Sequence, residues 1–259
     1  MLHDLRSSAE LSAVARRLGA SVMLTEREIE HIEDIQGHAT TIEAGRDFLH
    51  EGDDFSMTYV VRSGWVMRYR TTADGKRQII AFALPGDFIG LHANYERHAA
   101  FSAAALTEVE LALVEPIRIL DTYRNHPVVA SGLDWMATTS FNIVAEHTGS
   151  LGVRPARQRI LHLLLELYCR LMIVGLADDD GFASPLTQVL LGDSLGLTSV
   201  YVSKCMARLR NENLATLNGG RVRFPDIKSA LHASDFDPTF LETFRSRLPL
   251  PNAVRDIAP

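Results

Sequence analysis

Cysteine is nearly absent: the 259-residue chain carries two, Cys169 and Cys205. Two thiols make no disulfide framework and fall short of a four-ligand zinc or iron–sulfur site. The scarcity fits a reducing compartment. No run of about 18 apolar residues occurs, so no segment reads as a membrane-spanning helix. The N-terminal MLHDLRSSAELSAVARRLGA mixes charge with short apolar spacing and lacks the continuous apolar core of a secretory signal. The expectation is a soluble, cytoplasmic protein. A His-x-His pair is missing too, and with it the ligand set of a metal-dependent oxygenase built on a β-barrel. Nor is there a basic excess: the net charge is −6, which excludes a uniformly basic nucleic-acid binder.

What is present describes an ordinary globular chain, 46% hydrophobic and 22% charged. A chain of this length buries a substantial core without staples. The charge is uneven. Residues 1–150 hold 13 Lys and Arg against 21 Asp and Glu, a net of −8, whereas residues 151–259 hold 13 against 11, a net of +2. An acidic front with a basic back permits a local anion-binding face.

Residues 7–37 show helical spacing at Leu11, Val14, Ala15 and Leu18 and again at Ile29, Ile32 and Ile35, and Thr25 with Glu28 forms a capping box. From 38 to 115 the pattern changes to short β-branched and aromatic runs such as TYVVRSGWVMRYRT, KRQIIAFALPGDFIG and VELALVE. Asp74-Gly75 between two such runs is a hairpin signal. Gly52, Gly64, Gly75 and Gly86 recur every 12, 11 and 11 residues, a turn rhythm expected of a wound antiparallel roll or sandwich.

After Pro116 the helical period returns. Over 128–151, Leu133, Met136, Ser140, Ile143, His147 and Leu151 are spaced 3, 4, 3, 4 and 4, close to a heptad seam. That seam reads either as the core face of one helix or as a dimer face joining two subunits. Gly149 and Gly152, just before Arg154-Pro155, are expected to interrupt the helix and form a hinge. ARQRILHLLLELYCRLMI (156–173) predicts a further apolar helix with Cys169 as a small buried hydrophobe. LADDDGFASP then reads as a loop whose three adjacent carboxylates are solvated; the further ligands of a calcium loop are missing.

Residues 186–224 read LTQVLLGDSLGLTSVYVSKCMARLRNENLATLNGGRVRF. Thr187 can cap a helix to about Ser194, Gly196 breaks it, and Thr198 can cap a second helix. Gly192 supplies the small residue where two helices meet, and Gly196, four positions on, tolerates left-handed geometry in the turn. Leu191, Leu195 and Leu197 flank the turn, and Val202 can plug the angle. Cys205 falls where a buried plug is wanted, and Arg210 reads as a solvated charge. Asn218-Gly219-Gly220 separates LATL from RVRF, a two-stranded wing with Arg221 and Arg223 on one face. This pattern is a winged helix-turn-helix. Its second helix would lie in a DNA major groove with Thr198, Ser199, Val200, Tyr201, Ser203 and Lys204 near base edges. Thr187, Arg208, Arg221 and Arg223 complete the expected contact surface, the wing arginines on phosphates.

With IEAGRDFLHEGD and YVVRSGWVMRYRTTADGKRQIIAFALPGDFIG ahead of that motif, the chain over about 20–230 resembles the Crp/Fnr family of bacterial transcription regulators. The resemblance implies an α+β chain: an N-terminal antiparallel β-roll of jelly-roll type, a long dimerisation helix and a C-terminal winged helix-turn-helix. The expected segments are N-terminal helices (1–37), roll (38–127), dimerisation helix and hinge (128–152), winged domain (153–231) and a C-terminal extension (232–259). It implies a homodimer on a palindromic operator, engaging RNA polymerase, with an effector site near Phe88, Gly90, Leu91, His92 and Arg97.

The departures are specific. Cyclic-AMP-binding members carry a Gly-Glu step after the roll's Asp-Phe-Ile-Gly and an Arg-Ser pair further on. Here Leu91 follows Gly90, and Ala99-Ala100 falls near the place of the pair, with Arg97 off register. A buried cyclic phosphate would then lack its cation, so cyclic AMP is not expected to bind. The N-terminal cysteine cluster of oxygen-sensing members is absent, which disfavours an iron–sulfur cluster. His92 and His98 read as loop histidines and not as haem ligands. Where several relatives carry a Glu and an Arg in the recognition helix, Val200 and Lys204 stand, so the operator core is expected to differ. Two readings compete with a signal-controlled regulator: one whose roll is purely structural, and an enzyme built on the roll. The latter leaves the winged domain unexplained. In the extension, Asp237 and Pro238 can start a short helix, followed by a loose tail.

Overall fold

The computed structural model describes residues 11–91 and 97–241. Contacts divide them into two compact units. The first comprises residues 11–68 and 82–139, the second 69–81 and 140–241.

The first unit opens with α1 (Ala13–Gly19), capped by the Ser12 hydroxyl, which accepts from the Ala15 N–H at 3.1 Å. The expected box at Thr25 starts α2 (Glu26–Ile35): the Glu28 carboxylate accepts from the Thr25 N–H at 2.6 Å. Strands β1 (Ala39–Ile42), β2 (Asp47–Leu49), β3 (Thr58–Ser63), β4 (Val66–Thr71), β5 (Arg77–Ala83), β6 (Phe88–Ile89), β7 (Ser102–Ala105) and β8 (Val109–Val114) form two sheets, ordered β1-β8-β3-β6 and β2-β7-β4-β5. The pairs β1–β8, β3–β8, β3–β6 and β2–β7 are antiparallel. All four rhythm glycines occupy turns with φ between 81° and 94°. Asp74-Gly75 turns the β4–β5 hairpin, closed by Thr72 N–H donating to the Lys76 carbonyl at 2.9 Å.

Alternation along β3, β7 and β8 points Val61, Ala103, Ala105, Val109 and Leu111 into the roll with Leu49, Phe55 and Ile89. A second apolar cluster joins the other side of the β3 and β8 sheet to Val14, Leu18 and Ile32 of α1 and α2. It also takes in Ile119 of α3 (Pro116–Asn125) and Val129, Leu133 and Met136 of α4 (Pro127–Val153). The PGDFIG segment is tied down through Asp87. Its carboxylate accepts from Leu84 N–H at 2.7 Å and faces the buried Arg17 guanidinium at 2.9 Å.

Helix α4 (Pro127–Val153) runs without a break from one unit into the other. The interruption expected at Gly149 and Gly152 does not occur. Glycine in a helix costs about 1 kcal/mol, which neighbouring turns offset, whereas proline costs about 3 kcal/mol. The break therefore waits for Arg154-Pro155, and α5 (Ala156–Ile173) begins beyond it.

Of the two readings of the heptad seam, core face or dimer face, three of its six residues take the core one. Leu133 and Met136 lie in the first unit's own core and Ile143 is buried. Ser140 and His147 are half-buried, and only Leu151 of the six is exposed. At Leu133, Met136 and Ile143 the heptad spacing serves core packing. The outward stripe of the second unit's part of α4 is Phe141, Ala145, Thr148 and Gly152, on the other side of the helix at 3.6 residues per turn.

In the second unit α5 is buried over most of its length, Cys169 included. Around it lie β9 (Ala177–Asp178), β10 (Gly181–Ala183), α6 (Gln188–Leu195), α7 (Ser199–Asn211), β11 (Thr216–Asn218), β12 (Arg221–Arg223) and α8 (Ile227–Ser234). The four strands form one sheet, ordered β11-β12-β10-β9. LADDDG is thus the turn of a β-hairpin and not an open loop. The outer part of the β4–β5 hairpin belongs to this unit. Arg77 grips Asp193 of α6 through Nε and Nη2 at 2.9 and 2.7 Å, and Gln78 donates to the Ser194 carbonyl at 3.1 Å.

A buried polar network lies where α4 meets α5. Glu166, fully buried, accepts from His147 Nε2 at 2.5 Å and from Arg170 at 2.7 Å. Its pKa falls to about 2: burial opposes ionisation, but His147 and Arg170 outweigh it. His147 is raised for the reciprocal reason, Glu166 overcoming desolvation. The neighbouring Glu146 holds Arg154 at 2.6 Å and faces His162 at 3.2 Å. The extension follows as a 3-10 turn (Pro238–Leu241), with Thr239 N–H donating to the Asp237 carboxylate at 2.9 Å. Phe236 packs tilted against His162, ring centroids 4.8 Å apart, and Phe240 stacks on it at 5.8 Å. The expected tail lies outside the described residues.

Candidate DNA-binding surface

The two helices of the motif start and stop where side-chain chemistry dictates. The Thr187 hydroxyl accepts from Leu190 N–H and the Thr198 hydroxyl from Tyr201 N–H, each at 3.2 Å. Each satisfies a donor that a helix start leaves open. Gly196 ends α6 in the left-handed region at φ 62°, which a side chain would disfavour. Gly192 permits the close approach: a Cβ there would stand 2.5 Å from the Leu197 carbonyl oxygen. Val202 and Leu209 are completely buried and Cys205 nearly so, fixing the inner seam of α7. Burial pushes the Cys205 thiol above its usual range, against the pull of Arg208, Arg157 and Arg159. That makes Cys205 a packing residue and a poor thiolate.

The same helix turns Val200, Tyr201, Ser203, Lys204 and Arg208 outward. Val200 is 65% exposed, an apolar side chain turned to solvent. Thr187 and Thr198 are exposed and Ser199 half-exposed at the same end of the motif. Val189, also exposed, adds a second apolar side chain on α6.

The wing is a two-residue hairpin. Gly219 and Gly220, at φ 56° and 72°, join β11 to β12, with Asn218 opposite Arg221 and Thr216 opposite Arg223. Two consecutive positive φ values match the twist of the flanking strands. Between α7 and this hairpin runs a groove of about 550 Å³, lined by Gln188, Ser203, Arg210, Asn218, Arg221 and Arg223 among others. Arg210, read from the sequence as a solvated charge, belongs to this lining, as does Gln188. The signal was available: Ser203, Ala207 and Arg210 follow one helix face.

Charge is rearranged relative to the expectation. The motif's two acidic residues are occupied, Asp193 by Arg77 and Glu212 by Arg157. Two of the three carboxylates expected to be solvated, Asp178 and Asp180, are engaged as well. Arg221 Nη2 donates to both Asp178 oxygens at 2.5 Å and to Asp180 at 2.8 Å, and Arg223 Nε lies 3.9 Å from Asp180. Hydrogen bonds to Arg221 hold the Asp178 carboxyl below its usual range. Arg221 and Arg223 do share a face, but with different freedom: their side chains are 28% and 61% exposed.

In the roll, Phe88 and Leu91 are buried, and Gly90 lies under the Phe55 ring so tightly that a Cβ would stand 2.2 Å from it. Arg97 is exposed, and its carbonyl accepts from the Phe55 N–H at 3.4 Å. His92 lies outside the described residues. Among those residues no cluster of His, Cys, Asp and Glu could hold a metal ion, and no helix is long and apolar enough to cross a membrane.

A capped, glycine-tight helix pair with an exposed second helix and a basic hairpin beside it defines a winged helix-turn-helix DNA-binding protein, joined here to a β-roll. Residues 158–229 match the Crp-like helix-turn-helix domain and residues 39–126 the cyclic nucleotide-binding domain. The chain is 30% identical over 210 residues to the nitrogen fixation regulation protein FixK of Bradyrhizobium diazoefficiens, spanning 81% of this chain and 84% of that one. It is 26% identical over 198 residues to the fumarate and nitrate reduction regulatory protein of Vibrio cholerae, spanning 76% and 78%. The structure of FixK2 from Bradyrhizobium japonicum superposes with a TM-score of 0.65 at 26% identity, covering 75% of this chain and 96% of that one. The chain belongs to the Crp/Fnr family of transcriptional regulators, and its function is DNA-binding regulation of transcription.

Proposed function

We propose that the protein acts in the cytoplasm as a homodimer on a palindromic operator, with α7 in the major groove of each half-site, and that it engages RNA polymerase from there. The observation that carries this reading is the outer face of α7. Val200, Ser203 and Lys204 stand exposed on one side of a helix whose other side is locked into the domain. Ser199, Tyr201 and Arg208 flank that face, and Thr187 and Thr198 present hydroxyls at the two helix starts. Val200 offers a methyl-bearing surface suited to a thymine C5-methyl group, and Lys204 a donor for guanine O6 or N7. Binding to random duplexes followed by sequencing of the retained pool gives the operator, and a two-fold symmetric consensus is expected. Lys204→Ala is expected to relax the preference at one position per half-site. If it instead weakens all duplexes equally and lowers the salt slope by about one unit, Lys204 is a phosphate contact and this assignment fails.

For the roll we propose that cyclic nucleotides are not the signal, and that an iron–sulfur cluster is not either. The residues do not fit a cyclic phosphate: Leu91 and Ala99 are buried and apolar where a ribose partner and a cation would be required, and Phe55 closes over Gly90. This supports a roll that is a structural platform over one built to admit a nucleotide. Calorimetry with cyclic AMP is expected to give no binding heat; micromolar affinity would overturn this reading.

A further inference from the structure

The wing was expected to bring two free arginines to the DNA backbone, yet one of them is already held by acids. Asp178 and Asp180 place three carboxylate contacts on a single guanidinium nitrogen, Nη2 of Arg221. The acids are fixed from beneath. The buried Tyr168 hydroxyl donates to the Asp178 carbonyl at 3.0 Å, and Phe224 N–H donates to the Asp180 carbonyl at 2.7 Å. Gly181, next in the chain, is pressed onto β12 so closely that a Cβ would stand 2.0 Å from the Val222 carbonyl oxygen. The turn therefore cannot swing aside as an open loop would. Its position relative to the wing is set by the β10–β12 register, Gly181 opposite Arg223 and Ala183 opposite Arg221.

We propose that the Asp178–Asp180 turn is a built-in competitor for DNA at the wing, occupying the Arg221 nitrogen that a backbone phosphate would otherwise take. A carboxylate pair and a phosphate present the same kind of anionic oxygens to a guanidinium, so the two exclude each other at Nη2. Arg223, mostly exposed and 3.9 Å from its nearest acid, is the wing cation left for the backbone. The effect is to reduce the sequence-independent part of binding, which comes from phosphate neutralisation, while leaving the α7 face untouched. The inference rests on the winged domain binding duplex DNA.

The test measures the affinity of the full-length protein for an arbitrary duplex as salt rises. Each phosphate contact adds about 0.9 to the slope of log affinity on log salt. Asp178→Asn/Asp180→Asn is expected to bind more tightly at low salt and to steepen that slope by about 0.9. Between 50 and 200 mM salt its affinity should then fall roughly threefold further than the wild type's. Adding Arg221→Gln to that variant is expected to abolish the gain. Asp179→Asn removes one charge from the same turn without touching these three contacts; an equal gain from it would show mere net charge and overturn the proposal. An unchanged slope in the double variant would also overturn it. Should the double variant unfold, Arg221→Gln alone decides: the competitor reading expects an unchanged slope, and a slope lowered by about one unit makes Arg221 a direct phosphate contact. Wild-type protein that binds no duplex at all would sink the DNA-binding reading itself, a different outcome from wild type and variant binding alike.

Discussion

At the scale of single residues, Gly192 and His162 carry the clearest consequences. A methyl group at 192 would sit 2.5 Å from the Leu197 carbonyl oxygen, and backbone cannot step aside as a flexible side chain can. Gly192→Ala should destabilise the winged domain by about 1–3 kcal/mol, the usual range for overpacking. Urea unfolding measures it, and a loss below the error of the method would show that the helix pair has slack. His162 is 1% exposed, and burial, reinforced by Arg154 and opposed by Glu146, lowers its pKa from 6.5 to about 4. The sign follows from proton counting. Between pH 6.5 and about 4 the unfolded chain binds a proton that the folded chain refuses, so stability falls as pH falls through that window. The loss amounts to about 3 kcal/mol at most. His147, shifted the other way, stabilises the folded form below pH 6.5 and loses that contribution as pH rises through its raised pKa. Unfolding of His162→Leu and wild type at pH 7 and pH 5 separates the two. The variant should lose less stability on acidification, and parallel behaviour would rule out His162 as the group responsible. The glycine was legible in the sequence because its requirement is local. His162 was not, because its burial is made by Glu146 and by Phe236 and Phe240, far along the chain.

At the scale of elements, turn and cap chemistry was readable and partner choice was not. The caps at Thr25, Thr187 and Thr198 and the turns at Asp74-Gly75 and Gly219-Gly220 each involve residues within four positions of one another, and all formed. The α4 seam and the Asp178–Arg221 pairing depend on what a face meets, and periodicity is silent on that: a heptad packs equally well on its own core or on a second chain. The C-terminal extension is the other such case. Its Phe236 is 3% exposed and seals His162 against α5. Phe236→Ala should cost about 3–5 kcal/mol by leaving a cavity. It should also bring the His162 titration, followed by NMR, back toward 6.5 as water reaches the ring. A His162 that still titrates near 4 in the variant would mean that its burial does not come from Phe236.

At the scale of the whole molecule, the proposed homodimer needs a helix face to pair through, and α4 offers one. With Leu133, Met136 and Ile143 turned into the chain's own core, the outward stripe of Phe141, Ala145, Thr148 and Gly152 carries one large apolar side chain, Phe141, 72% exposed, between small ones. Small residues at one-turn spacing let a second helix approach closely, and Phe141 then supplies the buried anchor. Residues exposed in the monomer usually change its stability by less than about 0.5 kcal/mol when replaced, so Phe141→Glu should leave each chain folded. If the proposed homodimer pairs through this stripe, the substitution sets two carboxylates against each other without water. The expected result is a monomer by sedimentation velocity with an unchanged far-UV spectrum. Its operator binding should weaken by about 100-fold or more, since a linked pair of half-site contacts gains that much over a single one. The salt slope should drop to about half, because a lone subunit neutralises half the phosphates. These readouts are independent: a variant that is monomeric yet keeps the full slope would mean two chains assemble on DNA through the DNA alone. A variant that remains dimeric would place the interface away from this stripe, with the Phe141 ring left as exposed apolar surface on a helix whose buried side is already accounted for.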